Sequence, residues 1–209
     1  MDCRPLPLRC KVLIMKNFWN PGKKKASPQE FWDWFVSNNA RLKAMDLNAL
    51  INEIFVKGSE VDPGLRFGLM PGTEDANWML EVCAGGVKAT IPAVEKLVAA
   101  APIVPGWEIV AFRQPRDLPE IRMGDHSVDL ALTRFVETGR SGGLLDLTLY
   151  LPLPADAPED VLGELGFIAL DHTLGEMVVM TRLGHIEFEN ILAAPSNARL
   201  LSELPEIVN

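Results

Sequence analysis

Twice along this chain, two short runs of alternating apolar residues joined by a glycine-bearing turn are followed by a helix-patterned segment and then by another β-type run. Residues 65–69 and 78–83 form the first pair, across a turn from Pro71-Gly72 to Asn77. Residues 126–137 and 144–151 form the second, across residues 138–143. Period-2 alternation puts the apolar side chains of a strand on one face, so each pair predicts a hairpin with a face to bury. An isolated hairpin is marginal in water, and the segments that follow supply its cover. The pattern predicts an α+β fold with antiparallel or mixed sheets, helices on one face, and two similar β-β-α-β halves.

An N-terminal helical pair precedes the first half. Ser27-Pro28-Gln29-Glu30 combines a serine N-cap, proline at the first helical position and a glutamate able to close a capping box. Phe31, Trp32, Trp34, Phe35 and Leu42 give that helix a broad aromatic face, and Asp46 caps a second helix through Leu47, Leu50, Ile51 and Ile54, ending near Gly58. After the Asp62-Pro63-Gly64 turn and the first hairpin, Gly85-Gly86 breaks the chain. Thr90 or a neighbour then caps a helix with Pro92 in its first turn, ending at Ala101-Pro102, and residues 107–112 make a strand. The first half reads αα-β-β-α-β. Residues 113–125 are polar and irregular before the second hairpin. Pro158-Glu159-Asp160 starts a helix to about Leu170, and residues 176–182 and 185–191 read as a terminal hairpin, giving β-β-α-β-β.

These boundaries predict a poorly ordered extension over residues 1–26, one α+β domain over 27–195 with pseudo-halves at about 27–113 and 126–191, and a tail over 196–209. Met15 with Lys-Asn-Phe-Trp makes a natural start, so residues 1–14 read as an extension or an upstream start-codon choice. A chain of 209 residues should bury roughly 70% of its unfolded surface, enough for a substantial core.

Charge and cysteine usage narrow the function classes. Twenty basic side chains against 28 acidic ones leave a formal net charge of −8, which repels phosphate backbones, so no nucleic-acid partner is expected. The basic run Lys23-Lys24-Lys25 reads as a solvated loop. Cys3, Cys10 and Cys83 form no CxxC pair, which excludes a disulfide framework and a zinc site. No apolar run reaches the ~18 residues of a membrane span or the core of a signal peptide, so a cytoplasmic location and no membrane partner are expected.

Several motifs carry chemistry only if their context agrees. Gly139-Arg140-Ser141-Gly142-Gly143 matches G-x-S-x-G, but a nucleophile elbow needs a helix after it, and a strand-patterned run follows. Gly85-Gly86-Val87-Lys88-Ala89-Thr90 lacks the contiguous Gly-Lys-Ser/Thr of a phosphate loop. Asp171, His172, Glu176, His185, Glu187 and Glu189 cluster in sequence and are the candidates for acid/base or metal chemistry. His172 and Glu176 share a face only on a helix, whereas Val178-Val179 argue for a strand; His185, Glu187 and Glu189 point one way on a strand, as a solvated face does. Trp107, Arg113, Gln114 and Arg116 form a candidate binding surface, since an arginine fork can hold carboxylate or phosphate. In an acidic chain, paired arginines more often meet their own Asp or Glu.

The phrases Phe31-Trp32-x-Trp34-Phe35 with Asn38, Ala101-Pro102 through Trp107-Glu108-Ile109-Val110-Ala111-Phe112-Arg113, Leu170-Asp171 with Leu174-Gly175-Glu176, and Ile186-Glu187-Phe188 resemble a group of uncharacterised bacterial proteins over about residues 28–190. The resemblance implies a bacterial, intracellular protein and transfers no catalytic residue. The expected role is a non-enzymatic module binding a protein or a small anionic ligand, without cofactor or metal. The alternative is a small-molecule hydrolase or metal-dependent enzyme using the Asp/His/Glu cluster. A homodimer built through the aromatic helix is a third reading.

Overall fold

The computed structural model describes residues 25–72, 76 and 78–208. The expectations for residues 1–24, including Cys3, Cys10, Trp19, Lys23 and Lys24, lie outside these. The chain forms two compact units, Met1–Phe112 and Arg113–Asn209. It is a mixed helix and strand protein with several sheets. Among the described residues no helix is long and apolar enough to cross a membrane.

In the first unit, helix α1 (Pro28–Ser37) begins with a closed capping box. The Glu30 N–H donates to Ser27 Oγ at 3.2 Å and the Ser27 N–H donates to Glu30 Oε2 at 2.6 Å, satisfying two N–H groups that lack intrahelical acceptors. A short α2 (Asn39–Lys43) follows, then α3 (Leu47–Val61), whose Asp46 cap accepts from Asn48 and Ala49. Asp62 Oδ1 accepts from the Gly64 N–H at 2.9 Å and turns the chain into β1 (Arg66–Pro71), antiparallel to β2 (Trp78–Cys83). A 3-10 turn (Lys88–Thr90) leads into α4 (Ile91–Ala99), and β3 (Trp107–Ala111) returns parallel to β2. Thr90 gives no side-chain cap, because its backbone is already helical at φ −86° and ψ −14°, not extended as an N-cap requires.

The core of this unit is aromatic. Phe31 stacks on Phe67 with centroids 5.9 Å apart, and Phe35 meets Trp107 edge to face at 4.9 Å. Gly58 on α3 lets the Phe67 ring lie against the helix backbone, and a Cβ there would collide with that ring. Gly58→Ala therefore sets a helix-propensity gain of about 1 kcal/mol against overpacking of about 1–3 kcal/mol. Phe67 is itself buried and stacked, so overpacking wins. A lower urea midpoint by tryptophan fluorescence is expected, and a higher one would mean that the ring moves aside freely.

In the second unit, β4 (Glu120–Met123) and β5 (His126–Asp129) form a hairpin. Strands β6 (Arg134–Ser141) and β7 (Leu144–Leu151) form another, with a bulge between Glu137 and Gly139. Helix α5 (Glu159–Leu174) and α6 (Glu176–Arg182) precede β8 (Leu183–Asn190), which pairs parallel to β7. After a 3-10 turn (Ile191–Ala193), β9 (Arg199–Leu200) pairs with β6, and a further turn (Leu201–Glu203) and α7 (Pro205–Val208) complete the unit. The larger sheet has the order β8-β7-β6-β9.

The helix read from Ser27 through Leu42 is α1 and α2, separated at Asn38, and three further local expectations change in the second unit. The run 126–137 is two strands rather than one, because Asp129 Oδ1 accepts from the Ala131 N–H at 2.8 Å and Thr133 donates to the Asp129 carbonyl at 2.9 Å, folding residues 129–133 into a turn. Part of the stretch read as irregular, residues 120–123, is the first strand of the smaller hairpin. Residues 176–182 are helical, so no terminal hairpin forms. Gly175, at φ 88° and ψ 140°, ends α5 and restarts the helix, and tertiary packing of Val179 and Met180 overrides the β propensity of Val178-Val179. Gly142 and Gly143, at φ 59° and 84°, make the tight turn between β6 and β7, so Ser141 ends a strand that leads straight into another strand.

Candidate functional site

The two separate sequence candidates, the arginine segment and the Asp/His/Glu run, meet at the junction of α5 and α6. The Arg113 guanidinium bonds the Asp171 carboxylate, and both side chains are buried. The Arg113 N–H donates to Glu176 Oε2 at 3.2 Å, and the Glu176 N–H donates to the Arg113 carbonyl at 2.9 Å. Arg113 thus grips the junction with both its backbone and its side chain. The Arg116 N–H donates to the His172 carbonyl at 2.7 Å, and Pro115 lies over Gly175, where a Cβ would come within 3.1 Å of its ring. Residues 113–116 form a strap across the helix break.

His172 is the odd member of the cluster. Its ring is 1% exposed, and neither ring nitrogen has a hydrogen-bond partner among the described residues. Burial, then the Arg113 and Arg116 guanidinium groups, pushes its pKa from 6.5 to about 3, so the imidazole is neutral at physiological pH. With its pKa near 3 the imidazole is a weak base, and its enclosure keeps it from bulk solvent.

His185 and Glu187 do not join this cluster within one side-chain network. They lie exposed on β8, bonded to each other at 3.2 Å, with Glu187 also accepting from Thr148 Oγ1 at 3.4 Å. Exposed pairs of this kind contribute about 0–1 kcal/mol. His185→Ala is therefore expected to shift the thermal midpoint by no more than about 4 °C, and a larger fall would assign the strand face a structural role. Trp107 belongs to the first unit, where its indole N–H donates to Asn39 Oδ1 at 2.8 Å and its ring is buried. Gln114 is exposed and Arg116 half-buried.

Among the described residues no group of three or more His, Cys, Asp and Glu side chains is arranged to hold a metal ion. Pro115 and Gly175 are the members of the site that sequence reasoning passed over. A glycine directly between a helix-compatible Asp-His-Thr-Leu run and Glu176 was the available signal for a helix stop. No family model, curated protein or solved structure matches the chain.

Proposed function

We propose that this chain is a non-enzymatic, cytoplasmic interaction module of a bacterium, built from two similar β-β-α-β halves behind an N-terminal helical pair. The observation that carries the reading is the employment of Arg113, Asp171 and Glu176, whose buried bonds tie the strap to the helix junction. Groups held in this way serve the fold and are poorly placed to turn over a substrate. Support for the two halves comes from their shared order: hairpin, helix, and a strand parallel to the hairpin's second strand.

A protein partner fits better than a small anion. Residues 113–209 contain seven arginines and no lysine against sixteen carboxylates, a balance that repels free anions. Of the four clustered aromatics on α1, Phe31, Trp32 and Phe35 are buried and Trp34 is half-buried, so a homodimer through this helix would use Trp34. Trp34→Asp would then dissociate the dimer in sedimentation while leaving the circular dichroism spectrum unchanged.

The enzyme reading rests on one specific observation, the two unpartnered ring nitrogens of His172. A thermal-shift screen against divalent metals, nucleotides, carboxylic acids and amino acids separates the two. A ligand binding only the native state at 100 times its Kd adds about 2.7 kcal/mol, a readily seen rise in Tm. The module reading expects no shift with any of these. A rise in the parent that is lost in an equally stable His172→Leu variant would overturn it in favour of the enzyme.

A further inference from the structure

A buried polar ring without partners is unfavourable by about 1–3 kcal/mol for each unsatisfied group, so its retention calls for a use. His172 sits on the last turn of α5, one residue from Asp171 and three before the break at Gly175. The bonds that hold the strap over that break include the Arg113 side chain to Asp171, the reciprocal pair between Arg113 and Glu176, and the Arg116 N–H to the carbonyl of His172 itself. Two of its cations, Arg113 and Arg116, act on the imidazole. A proton on the ring would place a third positive charge among them, out of water. Of the junction's carboxylates, Asp171 bonds the Arg113 guanidinium and Glu176 accepts from the Arg113 backbone N–H.

The other elements against α5 give the new charge little compensation. On β4, Glu120 and Arg122 bond each other at 2.7 Å near the surface. On β8, Phe188 lies against Gly166 of α5, and by alternation His185, Glu187 and Glu189 belong to the opposite face. β7 places Leu149 in register with Phe188.

We propose that residues 113–116 and the α5–α6 break form an acid-sensitive latch, in which protonation of His172 frees the strap from the helix junction while the β6–β7 sheet stays folded. The sign follows from linkage. The closed form binds the proton only near pH 3, whereas a released, hydrated ring binds it near 6.5, so the open form takes up more protons over that window. The closed latch is fully stable above about pH 6.5, and its opening constant rises about tenfold for each pH unit below that, levelling near pH 3. Gly175, in the left-handed region without side-chain strain, is the position at which the two helices can change their angle.

The test is amide hydrogen exchange of the full chain between pH 7 and pH 4, corrected for intrinsic rates, in the parent and in His172→Leu. The reporters are the N–H groups of Arg116 and Glu176, with the β6–β7 amides as the reference for global unfolding. The latch requires that opening at Arg116 and Glu176 rises about 50-fold from pH 6.5 to 4.5 in the parent, stays flat in His172→Leu, and leaves the β6–β7 amides protected. An equal rise in both proteins, a flat parent, or exchange of the strap only together with β6–β7 would overturn it. Should His172→Leu fail to fold, the carbon-13 titration of the parent ring decides: titration near pH 6.5 with the strap amides still protected sinks the proposal.

Discussion

Asp171→Ala is expected to destabilise the second unit by about 3–5 kcal/mol, the range seen when one partner of a buried ion pair is removed. Arg113 and Asp171 are 7% and 6% exposed, so the guanidinium left behind remains in a low-dielectric interior without the carboxylate that offsets its desolvation. The charge and the hydrogen bond are lost together. Asp171→Asn keeps an acceptor and should fall between parent and alanine. Replacing both partners, Arg113→Met with Asp171→Leu, should recover much of the loss, because well-packed apolar groups can equal a buried pair in stability.

The readout has to be local. All five tryptophans, Trp19, Trp32, Trp34, Trp78 and Trp107, belong to the first unit, so their fluorescence follows that unit and not the second. Exchange of the β6–β7 amides reports the second unit in the intact chain. A loss below about 1 kcal/mol for Asp171→Ala would show that the guanidinium finds another acceptor at little cost, and the strap would lose its proposed anchor.

Trp32→Ala is expected to lower the stability of the first unit by about 3–5 kcal/mol, as a large cavity opens at a fully enclosed site. The ring meets Phe31 and Phe35 edge to face at 4.9 and 5.4 Å. Its indole N–H also donates to the Leu97 carbonyl at 2.7 Å. Leu97 lies in the last turn of α4, where carbonyls lack intrahelical donors, so the indole of α1 caps the end of α4. Trp32→Phe keeps much of the packing but removes that donor, and should lose about 1–3 kcal/mol. Trp34→Ala, at a half-buried position on the same helix, should lose clearly less than Trp32→Ala. Urea denaturation followed by the remaining tryptophans ranks the three, and equal losses at Trp32 and Trp34 would contradict the burial described.

Local signals were legible wherever a side chain acts on its own backbone. The Ser27 to Glu30 capping box, the Asp46 cap, the Asp62 turn and the Gly142-Gly143 turn all depend on contacts within four residues, and each is found where the sequence places it. The failures lie where periodicity was ambiguous. Val128, Leu130 and Leu132 alternate through a turn, so only the Asp129 and Thr133 side-chain bonds reveal the break. Val178-Val179 favour a strand locally, yet they continue a helix once Gly175 has turned the chain.

The candidate site was legible as residue types and not as a site. An arginine segment and an Asp-His-Glu run some sixty positions apart each look like surface chemistry when read separately. Sequence by itself determined the starts of α1, α3 and α5, the turn between β6 and β7 and the acidic balance, because these follow from local geometry and composition. Only the tertiary structure decided that Arg113 closes on Asp171, that His172 is enclosed while His185 is exposed, and which tryptophan of α1 is sealed in the core. The physical reason is that burial and long-range charge pairing depend on which surfaces meet across the fold, and nothing within a few residues of chain records that.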